Sequence, residues 1–213
     1  MLKLAMQALA CPVTLKHEGY EFLARRGNGL ANAFAGESEA WGWWMTDLGI
    51  LDRLIQRGEK NRRFGAISVN LSPETMCHDG AWKVWLAGAA RLVQQHPMRV
   101  VVEVSERALC DDRLAEKLSD IRAIGAGVAL DDLDAKTHPR MLAHHWDIIK
   151  IDWRPSSRIG GLDLEGVIRH CKDQQALSVL EGVETPADIE LARGLGVDLI
   201  QGYGVHRPVL VEH

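Results

Sequence analysis

The chain has 213 residues, 46% of them hydrophobic and 25% charged, with a formal net charge of −4 at pH 7. This length suits one domain with a sizeable core, and we predict a single domain over residues 1–213. The lack of a basic surplus argues against polymeric nucleic acid as a partner, and no apolar run approaches the roughly 18 residues of a membrane span. The four cysteines form no CxxC pair, which argues against a zinc site or a disulfide framework and favours a cytoplasmic protein.

Short apolar runs alternate along the chain with longer amphipathic stretches. Residues 1–11 are mildly apolar and are predicted to form the first structural element. Runs rich in Val and Ile predict buried strands at 19–23, 66–71, 100–104, 127–130, 148–151, 178–180 and 199–200. The stretches between them predict helices at 38–56, 81–95, 113–124, 162–175 and 186–195. Thr185 before Pro186 is typical of a helix start, and Gly125, Gly194 and Gly196 are typical of helix ends.

The alternation of strands and helices predicts an α/β fold with a mostly parallel sheet. Six or seven such units favour a (β/α)8 TIM-like barrel, compact or modified, over the alternative of an open doubly wound sheet. No GxGxxG sequence or P-loop follows the early strands, so the usual nucleotide-binding signatures are absent from the sequence.

Acidic and amide side chains stand at the end of nearly every predicted strand. They are Glu21, Asn70, Glu103, Asp131, Asp132, Asp152, Glu181 and Gln201, together with Lys150. Any one of them is explained equally well as a helix cap. In a parallel barrel, however, these ends face the same side, and buried carboxylates need a compensating cation. An all-oxygen ligand set without Cys or His favours Mg²⁺ or Mn²⁺, as one ion or two.

Short motifs containing these residues follow one another in a fixed order. They are Glu21-Phe22-Leu23 with Arg25, VNLS at 69–72, VEVSE at 102–106, ALDD at 129–132, KID at 150–152, EGVET at 181–185, and QGY at 201–203 with Arg207-Pro208. In this order they resemble the EAL domain, a bacterial phosphodiesterase that linearises cyclic di-GMP. The resemblance covers residues from about 18 to 209, with Phe22 at the place of the signature alanine.

The resemblance implies hydrolysis of cyclic di-GMP to linear pGpG by in-line attack of a metal-activated water, with Mg²⁺ or Mn²⁺ and two ions. It also implies a role for each motif residue. Glu21, Asn70, Glu103 and Asp131 would bind the first ion and Asp132 the second; Lys150 would hold the attacking water; Glu181 would act as general base or bind metal through water; Gln201 would position the water; Arg25 would contact a substrate phosphate; and Glu184 would brace the loop after Asp132.

The chain departs from the family after ALDD, where the family continues Phe-Gly-Thr-Gly-x-Ser-Ser-Leu. Here residues 133–140 read LDAKTHPR, so both glycines are missing and the backbone is expected to take another path. Three functions therefore stay open: an active phosphodiesterase, a degenerate domain that binds cyclic di-GMP as a sensor without turnover, and a protein-interaction module. A homodimer and a regulatory protein partner are further expectations from the family.

A few other side chains allow two interpretations. Trp41, Trp43 and Trp44 would either stack on guanine bases or pack in the core or an interface. His144 and His145 are either metal ligands or surface helix residues. Glu106 is interpreted as a residue that supports the ligands or caps a helix.

Overall fold

The structure, a computed structural model, describes residues 2–26, 40–96, 99–108, 112–154 and 162–211. The strands in this part of the chain are β1 (Leu2–Ala10), β2 (His17–Arg26), β3 (Ala66–Leu71), β4 (Val100–Ser105), β5 (Gly127–Leu133), β6 (Ile148–Asp152), β7 (Leu177–Glu181), β8 (Leu199–Ile200) and β9 (Val209–Leu210). The helices are α1 (Ala40–Arg57), α2 (Pro73–Cys77), α3 (Asp79–Gln95), α4 (Asp112–Ala123), α5 (Pro139–Leu142), α6 (Leu164–Gln174) and α7 (Pro186–Leu195), with a 3₁₀ helix at Gly58–Phe64. None of the helices among these residues is both long and apolar enough to span a membrane.

Strands β1 to β8 form a closed ring. Strands β2 to β8 pair in parallel in chain order, and β1 closes the ring by pairing antiparallel with both β2 and β8. Only residues 11–16 separate β1 from β2, which leaves no room for a crossover helix, so the two strands pair as a hairpin. The predicted TIM-like barrel is thus confirmed in modified form, and the closed ring excludes the open doubly wound sheet.

Alternation of side chains along each strand separates two apolar regions. In β4, Val100, Val102 and Val104 belong to the large core between the ring and its helices, whereas Val101 belongs to a smaller cluster inside the ring. Both faces of the strand are therefore buried, as expected for a parallel strand under helices. Two residues after Val101 the inner row becomes polar at Glu103, which starts the functional end of the barrel.

Phe22 occupies the position at which the family has alanine. Its side chain is fully buried, and its ring meets that of Phe64 edge to face at a centroid distance of 5.6 Å. Phe22 belongs to the core outside the ring, whereas the neighbouring Glu21 points inward. The larger side chain therefore contributes to packing and does not crowd the inner face.

The start and end of α7 follow local rules of helix capping. The Thr185 side chain accepts a hydrogen bond from the Asp188 N–H, Asp188 reciprocates, and Pro186 takes the first helical position, as predicted. The helix ends at Gly196, which has a left-handed conformation with φ 69°. Gly194 lies inside the helix, so its prediction as a stop signal is wrong: the left-handed residue comes two positions later.

The loop after β5 folds without the family's glycines. Asp132 adopts φ 55°, and the pairing of β5 with β6 shifts register near the end of β5. Beyond it Asp134 organises a tight turn: its Oδ1 accepts hydrogen bonds from the Lys136 N–H (2.8 Å) and the Thr137 hydroxyl (3.2 Å), and Thr137 Oγ1 accepts from the Asp134 N–H (3.0 Å). Side-chain hydrogen bonds thus stabilise the turn that glycines would otherwise permit, and α5 begins directly after it.

We expect Asp134→Ala to lower the free energy of unfolding by about 1 kcal/mol, because the turn loses two side-chain hydrogen bonds. Urea denaturation followed by circular dichroism measures this change. Asp134→Asn is the matched control, since an amide oxygen can accept the same bonds, and it should retain most of the stability. Equal losses in the two variants would contradict this account of the loop.

Candidate functional site

Polar side chains converge inside the ring where strands β2 to β8 end. We call them the Lys150 cluster: Glu21, Asn70, Glu103, Asp131, Lys150, Glu181 and Gln201, each on or directly after its strand. Asn70 lies opposite Glu103 in the β3–β4 register. The other neighbours are offset: Glu21 lies opposite Ser68, Glu103 opposite Ala129 and Glu181 opposite Asp152. These residues were predicted from the sequence to face one another, and the structure brings them together.

Lys150 lies at the centre of this cluster. Its Nζ is 2.7 Å from Asp131 Oδ1, 3.0 Å from Glu103 Oε2, 3.0 Å from Glu181 Oε1 and 3.4 Å from Glu21 Oε2. Burial alone would lower the pKa of Lys150, but the surrounding carboxylates outweigh it and raise the pKa well above its usual value. The side chain, 1% exposed, is therefore a permanent ammonium.

Glu21 receives additional hydrogen bonds from two amides. Asn70 Nδ2 donates to Glu21 Oε1 at 2.7 Å, and Gln201 Nε2 donates to Glu21 Oε2 at 2.6 Å. Burial opposes ionisation of Glu21, but Lys150 and the two amides more than offset burial, so the pKa is lowered. Glu21 is accordingly the carboxylate of the cluster that is held most firmly in its ionised form.

The remaining carboxylates carry more negative charge than one ammonium balances. Burial, followed by the charge of Glu21, raises the pKa of Glu103 well above its usual value. Burial raises the pKa of Asp131 to about 6 and that of Glu181 to about 8, although Lys150 opposes both shifts. The cluster therefore favours additional positive charge, either as protons or as a cation.

The oxygen atoms of the cluster suit a hard divalent ion. Glu181 Oε2 and Gln201 Oε1 are buried and have no hydrogen-bond partner among the described residues. Carboxylate and amide oxygens are the preferred ligands of Mg²⁺ and Mn²⁺. Within the described residues no three Asp, Glu, His or Cys side chains are placed to hold an ion together, and the Lys150 ammonium stands between the carboxylates instead. The oxygen atoms are therefore of the chemical type that binds a divalent ion, and in this structure the ammonium of Lys150 lies among them.

Asp132, the predicted ligand of a second ion, is bound to an arginine that the sequence analysis missed. Arg154 Nη2 lies 3.0 Å from Asp132 Oδ1. The same guanidinium donates two hydrogen bonds of 2.8 Å to the Asp152 carboxylate, from Nε to Oδ1 and from Nη2 to Oδ2. Burial raises the pKa of Asp132, with Arg154 opposing the shift. The only sequence signal for this arginine is its position, two residues after the KID motif.

Arg154 packs closely against the backbone of the EGVET segment at Gly182. A Cβ atom added at Gly182 would lie 2.8 Å from Arg154 Cγ and 3.1 Å from its backbone nitrogen. Gly182, with φ 67°, therefore allows the arginine to pass close to the strand end on its way to Asp132.

A cavity of about 620 Å³ opens above the Lys150 cluster, and we call it the C-terminal cavity. Its volume is in the range of small-molecule sites. Its lining includes Glu21, Asn70, Asp131, Lys150 and Glu181 from the cluster, and Arg25, Trp43, Asp47, Pro73, Glu106, Arg107 and Asp132 around it.

Arg25 presents an unused donor in this wall. Its Nη1 donates to the Ala24 carbonyl at 2.8 Å, whereas its Nε is buried and has no hydrogen-bond partner among the described residues. A phosphate oxygen is a suitable acceptor for such a donor, consistent with the predicted role of Arg25.

Trp43 and Trp44, for which two interpretations were left open, lie in different surroundings. Trp43 lines the cavity, whereas the ring of Trp44 stacks on His78 at a centroid distance of 6.2 Å; the side chain of Trp41 lies outside the described residues.

Asp47 was not predicted: one of its oxygens accepts hydrogen bonds from the Ser72 N–H (3.1 Å), the Ser72 hydroxyl (2.6 Å) and the Thr75 hydroxyl (2.5 Å). Burial raises the pKa of Asp47 to about 6, and the network fixes α1 to the loop after β3.

The other predicted side chains lie at the rim or elsewhere. Glu184 is exposed and its N–H donates to Asp188 Oδ2, so its bracing role stays a prediction. Glu106 accepts hydrogen bonds from the Ser105 hydroxyl and from Arg107 Nε. His144 and His145 follow the end of α5, so their prediction as helix residues is wrong. The ring of His144 contacts Trp146, and the His145 carbonyl accepts a hydrogen bond from Arg122.

Comparison with known proteins identifies relatives of this site. The chain is 26% identical over 171 residues to the probable cyclic di-GMP phosphodiesterase PdeN of Escherichia coli (strain K12), covering 76% of this chain and 32% of the relative. It is 27% identical over 177 residues to the cyclic di-GMP phosphodiesterase PdeF of the same organism, covering 76% of this chain and 23% of the relative. The chain thus spans about a third or less of the length of these curated relatives.

Solved structures share the fold. BlrP1 of Klebsiella pneumoniae, in a complex with calcium and cyclic di-GMP, superposes with a TM-score of 0.80 at 25% identity, covering 98% of this chain and 56% of that one. The YkuI protein of Bacillus subtilis, with an EAL domain, superposes with a TM-score of 0.76 at 20% identity, covering 100% of this chain and 56% of that one, which shows the fold alone. The family model of the EAL domain matches residues 47–208, most of the chain, and this protein therefore belongs to the EAL domain family.

Proposed function

We propose that this protein hydrolyses cyclic di-GMP to linear pGpG in the presence of Mg²⁺ or Mn²⁺. The observation that carries the proposal is the surplus of buried carboxylates around a single ammonium, at the floor of a cavity of about 620 Å³. The names of the relatives PdeN and PdeF, both cyclic di-GMP phosphodiesterases, support cyclic di-GMP as the substrate. A BlrP1 structure with manganese and cyclic di-GMP, 25% identical to this chain, supports a divalent ion.

The first ion would be held by Glu21, Asn70, Glu103 and Asp131, and a second by Asp132. When bound, the ions would supply the positive charge that activates a water and neutralises the phosphoryl oxygens. Glu21 is suited to anchor the first ion, because its lowered pKa keeps it ionised.

Glu181 is suited to accept the proton of the attacking water. Its Oε2 is buried and has no donor among the described residues, and its pKa is raised to about 8. Positive charge from the proposed ions would lower this pKa and keep the carboxylate ionised, as a general base requires. Lys150, once displaced from the centre, would keep its contact with Glu181 and hold the water, and the Gln201 amide would orient it.

The substrate would enter the C-terminal cavity with its phosphate near Arg25, whose free Nε lacks an acceptor. Trp43 in the same wall would provide an apolar face for a guanine base. One domain over residues 1–213, a homodimer, a regulatory partner and a cytoplasmic location are further parts of this proposal.

The second candidate function is binding of cyclic di-GMP without turnover. The observation that favours it is the ion pair between Arg154 and Asp132. In-line hydrolysis by two ions needs a positive charge at both the attacking and the leaving oxygen. If Arg154 stays paired with Asp132, the second ion is lacking and the site would hold the ligand without cleaving it.

The proposed activity is tested by incubating the protein with cyclic di-GMP and Mn²⁺ and measuring pGpG by chromatography. We expect turnover in the native protein, and a loss of about 100-fold or more in Glu181→Gln, because the amide cannot accept a proton. Binding of cyclic di-GMP, measured by calorimetry, should persist in this variant.

Glu116→Gln, on the exposed side of α4, is the matched control and should retain full activity. Glu21→Ala should lose both turnover and Mn²⁺ binding. Tight binding of cyclic di-GMP with no pGpG in the native protein would establish the sensor instead, and no binding with either metal would exclude both functions.

The charge balance of the cluster predicts the behaviour of Lys150→Met. Without metal, this variant should lose about 3–5 kcal/mol of stability, because the carboxylates are left without their buried counter-charge. Mn²⁺ should restore much of this loss and should raise the melting temperature of the variant more than that of the native protein. Thermal denaturation with EDTA and with Mn²⁺ measures both effects, and a metal response no larger than native would contradict the exchange of ammonium for metal.

Because Arg154 and a second ion would compete for the Asp132 carboxylate, removal of Arg154 is expected to change the binding of Mn²⁺. Arg154→Ala should bind Mn²⁺ at the Asp132 site more tightly than the native protein, by about twofold to fivefold, because the half-exposed ion pair that competes with the ion is removed. Electron paramagnetic resonance of free Mn²⁺ counts the bound ions. Arg107→Ala, which removes another exposed rim arginine, is the control and should leave the titration unchanged. The same titration in all three proteins would show that Arg154 does not control the second ion.

A further inference from the structure

A second cavity opens at the opposite end of the barrel, where the strands begin, and we call it the N-terminal cavity. Its volume is about 380 Å³, within the range of small-molecule sites. Apolar and small residues form most of its wall: Leu9, Gly19, Tyr20, Ala66, Ile67, Val101, Ile148, Leu177 and Leu199, with Ser68 deeper inside. Glu103 and Lys150 of the Lys150 cluster close its inner end.

The cavity exists because one side of the ring carries small inner side chains. TIM-like barrels usually fill their interior with layers of bulky branched residues. Here Gly19 on β2 faces Ala66 on β3 in register, and the next inward residue of β3 is Ser68. A Cβ atom at Gly19 would lie 3.1 Å from the Ala66 carbonyl oxygen, so a larger residue would push these strands slightly apart, whereas glycine leaves the space beside them open.

Ser68 provides one polar group in this apolar wall. It is 6% exposed. Its hydroxyl interacts with the Glu103 carboxyl and lowers the pKa of that group, but its Oγ makes no hydrogen bond within the usual distance and angle limits to any described residue. A ligand acceptor with better geometry can therefore compete for this hydroxyl. The deep end of the cavity thus favours a ligand with a single hydrogen-bonding group.

The charges around the cavity disfavour an anion. At the mouth, Glu18 and Asp198 face a single cation, Arg99, which pairs with Asp147 at 3.4 Å. The inner end contains Glu103 together with Lys150, whose ammonium is already surrounded by carboxylates. No side chain lining this cavity therefore offers an unengaged positive charge, and the apolar wall suits a neutral molecule.

We propose that the N-terminal cavity is a binding site for a small neutral molecule with an aromatic or aliphatic body and one hydrogen-bonding group directed at Ser68. The site opens at the end of the barrel opposite the proposed phosphodiesterase site, shares Glu103 and Lys150 with it, and is proposed independently of that function. Lys150 lines both cavities, so an occupant would touch the underside of the Lys150 cluster and is expected to change its affinity for metal.

The probe for this test is prodan, a neutral naphthalene with one carbonyl acceptor, whose fluorescence shifts to the blue on burial. The native protein should bind one prodan per chain with saturation. Ala66→Leu should weaken binding on the order of tenfold or more by filling the space. Ser68→Ala, which hardly alters the volume, should weaken it about threefold to tenfold through the lost hydrogen bond. Circular dichroism and thermal denaturation verify that each variant is folded.

The control is Trp43→Ala, which changes only the C-terminal cavity and should leave prodan binding intact. Loss of binding in this variant, or unchanged binding in both Ala66→Leu and Ser68→Ala, would place the probe elsewhere and overturn the proposal. Absence of saturable binding to the folded native protein would also overturn it. Mn²⁺ affinity with and without saturating prodan tests the link between the cavities, and an unchanged value would refute that link alone. Because none of these measurements uses turnover, they stand whether or not cyclic di-GMP is hydrolysed.

Discussion

One buried ammonium among four buried carboxylates is the interaction on which the functional end of this barrel depends. Each of these charges costs several kcal/mol to remove from water, and only close opposite charge compensates that cost. Lys150 approaches Asp131, Glu103, Glu181 and Glu21 within 2.7–3.4 Å, yet the raised pKa values of three of the four show that the compensation is incomplete. A closed ring holds these groups together because no strand can move away alone, so the surplus charge persists until a further cation or protons neutralise it.

The two-residue period of β-strands links this cluster to the cavity beneath it. Along β3 the inward positions are Ala66, Ser68 and Asn70, and along β4 they are Val101 and Glu103. The same alternation therefore changes from small or apolar to polar within one strand. Glu103 and Lys150 form a thin layer between the C-terminal cavity and the N-terminal cavity. In a barrel with the usual packing, branched side chains would fill the space on the N-terminal side of this layer, whereas here that space is open.

The sequence predicted most of the ring and most of the cluster, because both depend on local regularities. Alternating apolar runs identified the strands, and the parallel barrel placed the polar residues at their ends on one side. The antiparallel pairing of β1 was not predicted, since a mildly apolar start without a following helix specifies no direction. The central place of Lys150 was also missed, because it depends on the length of the side chain relative to the width of the closed ring. Arg154 and Asp47 are determined by the path of the chain around the cavity, for which no periodic pattern exists.

The loop after β5 and Arg154 together determine the surroundings of Asp132. Asp134 replaces the missing glycines by holding a turn with its own side chain, and Asp132 keeps a left-handed backbone with φ 55°. Its carboxylate then faces a guanidinium already fixed by two bonds to Asp152. The first-ion residues would attract a cation in either functional state, because their charge surplus does not involve this loop. Under the proposed function, an exchangeable ion at Asp132 would allow the site to cleave its ligand, whereas a tethered arginine would leave a site that only holds it.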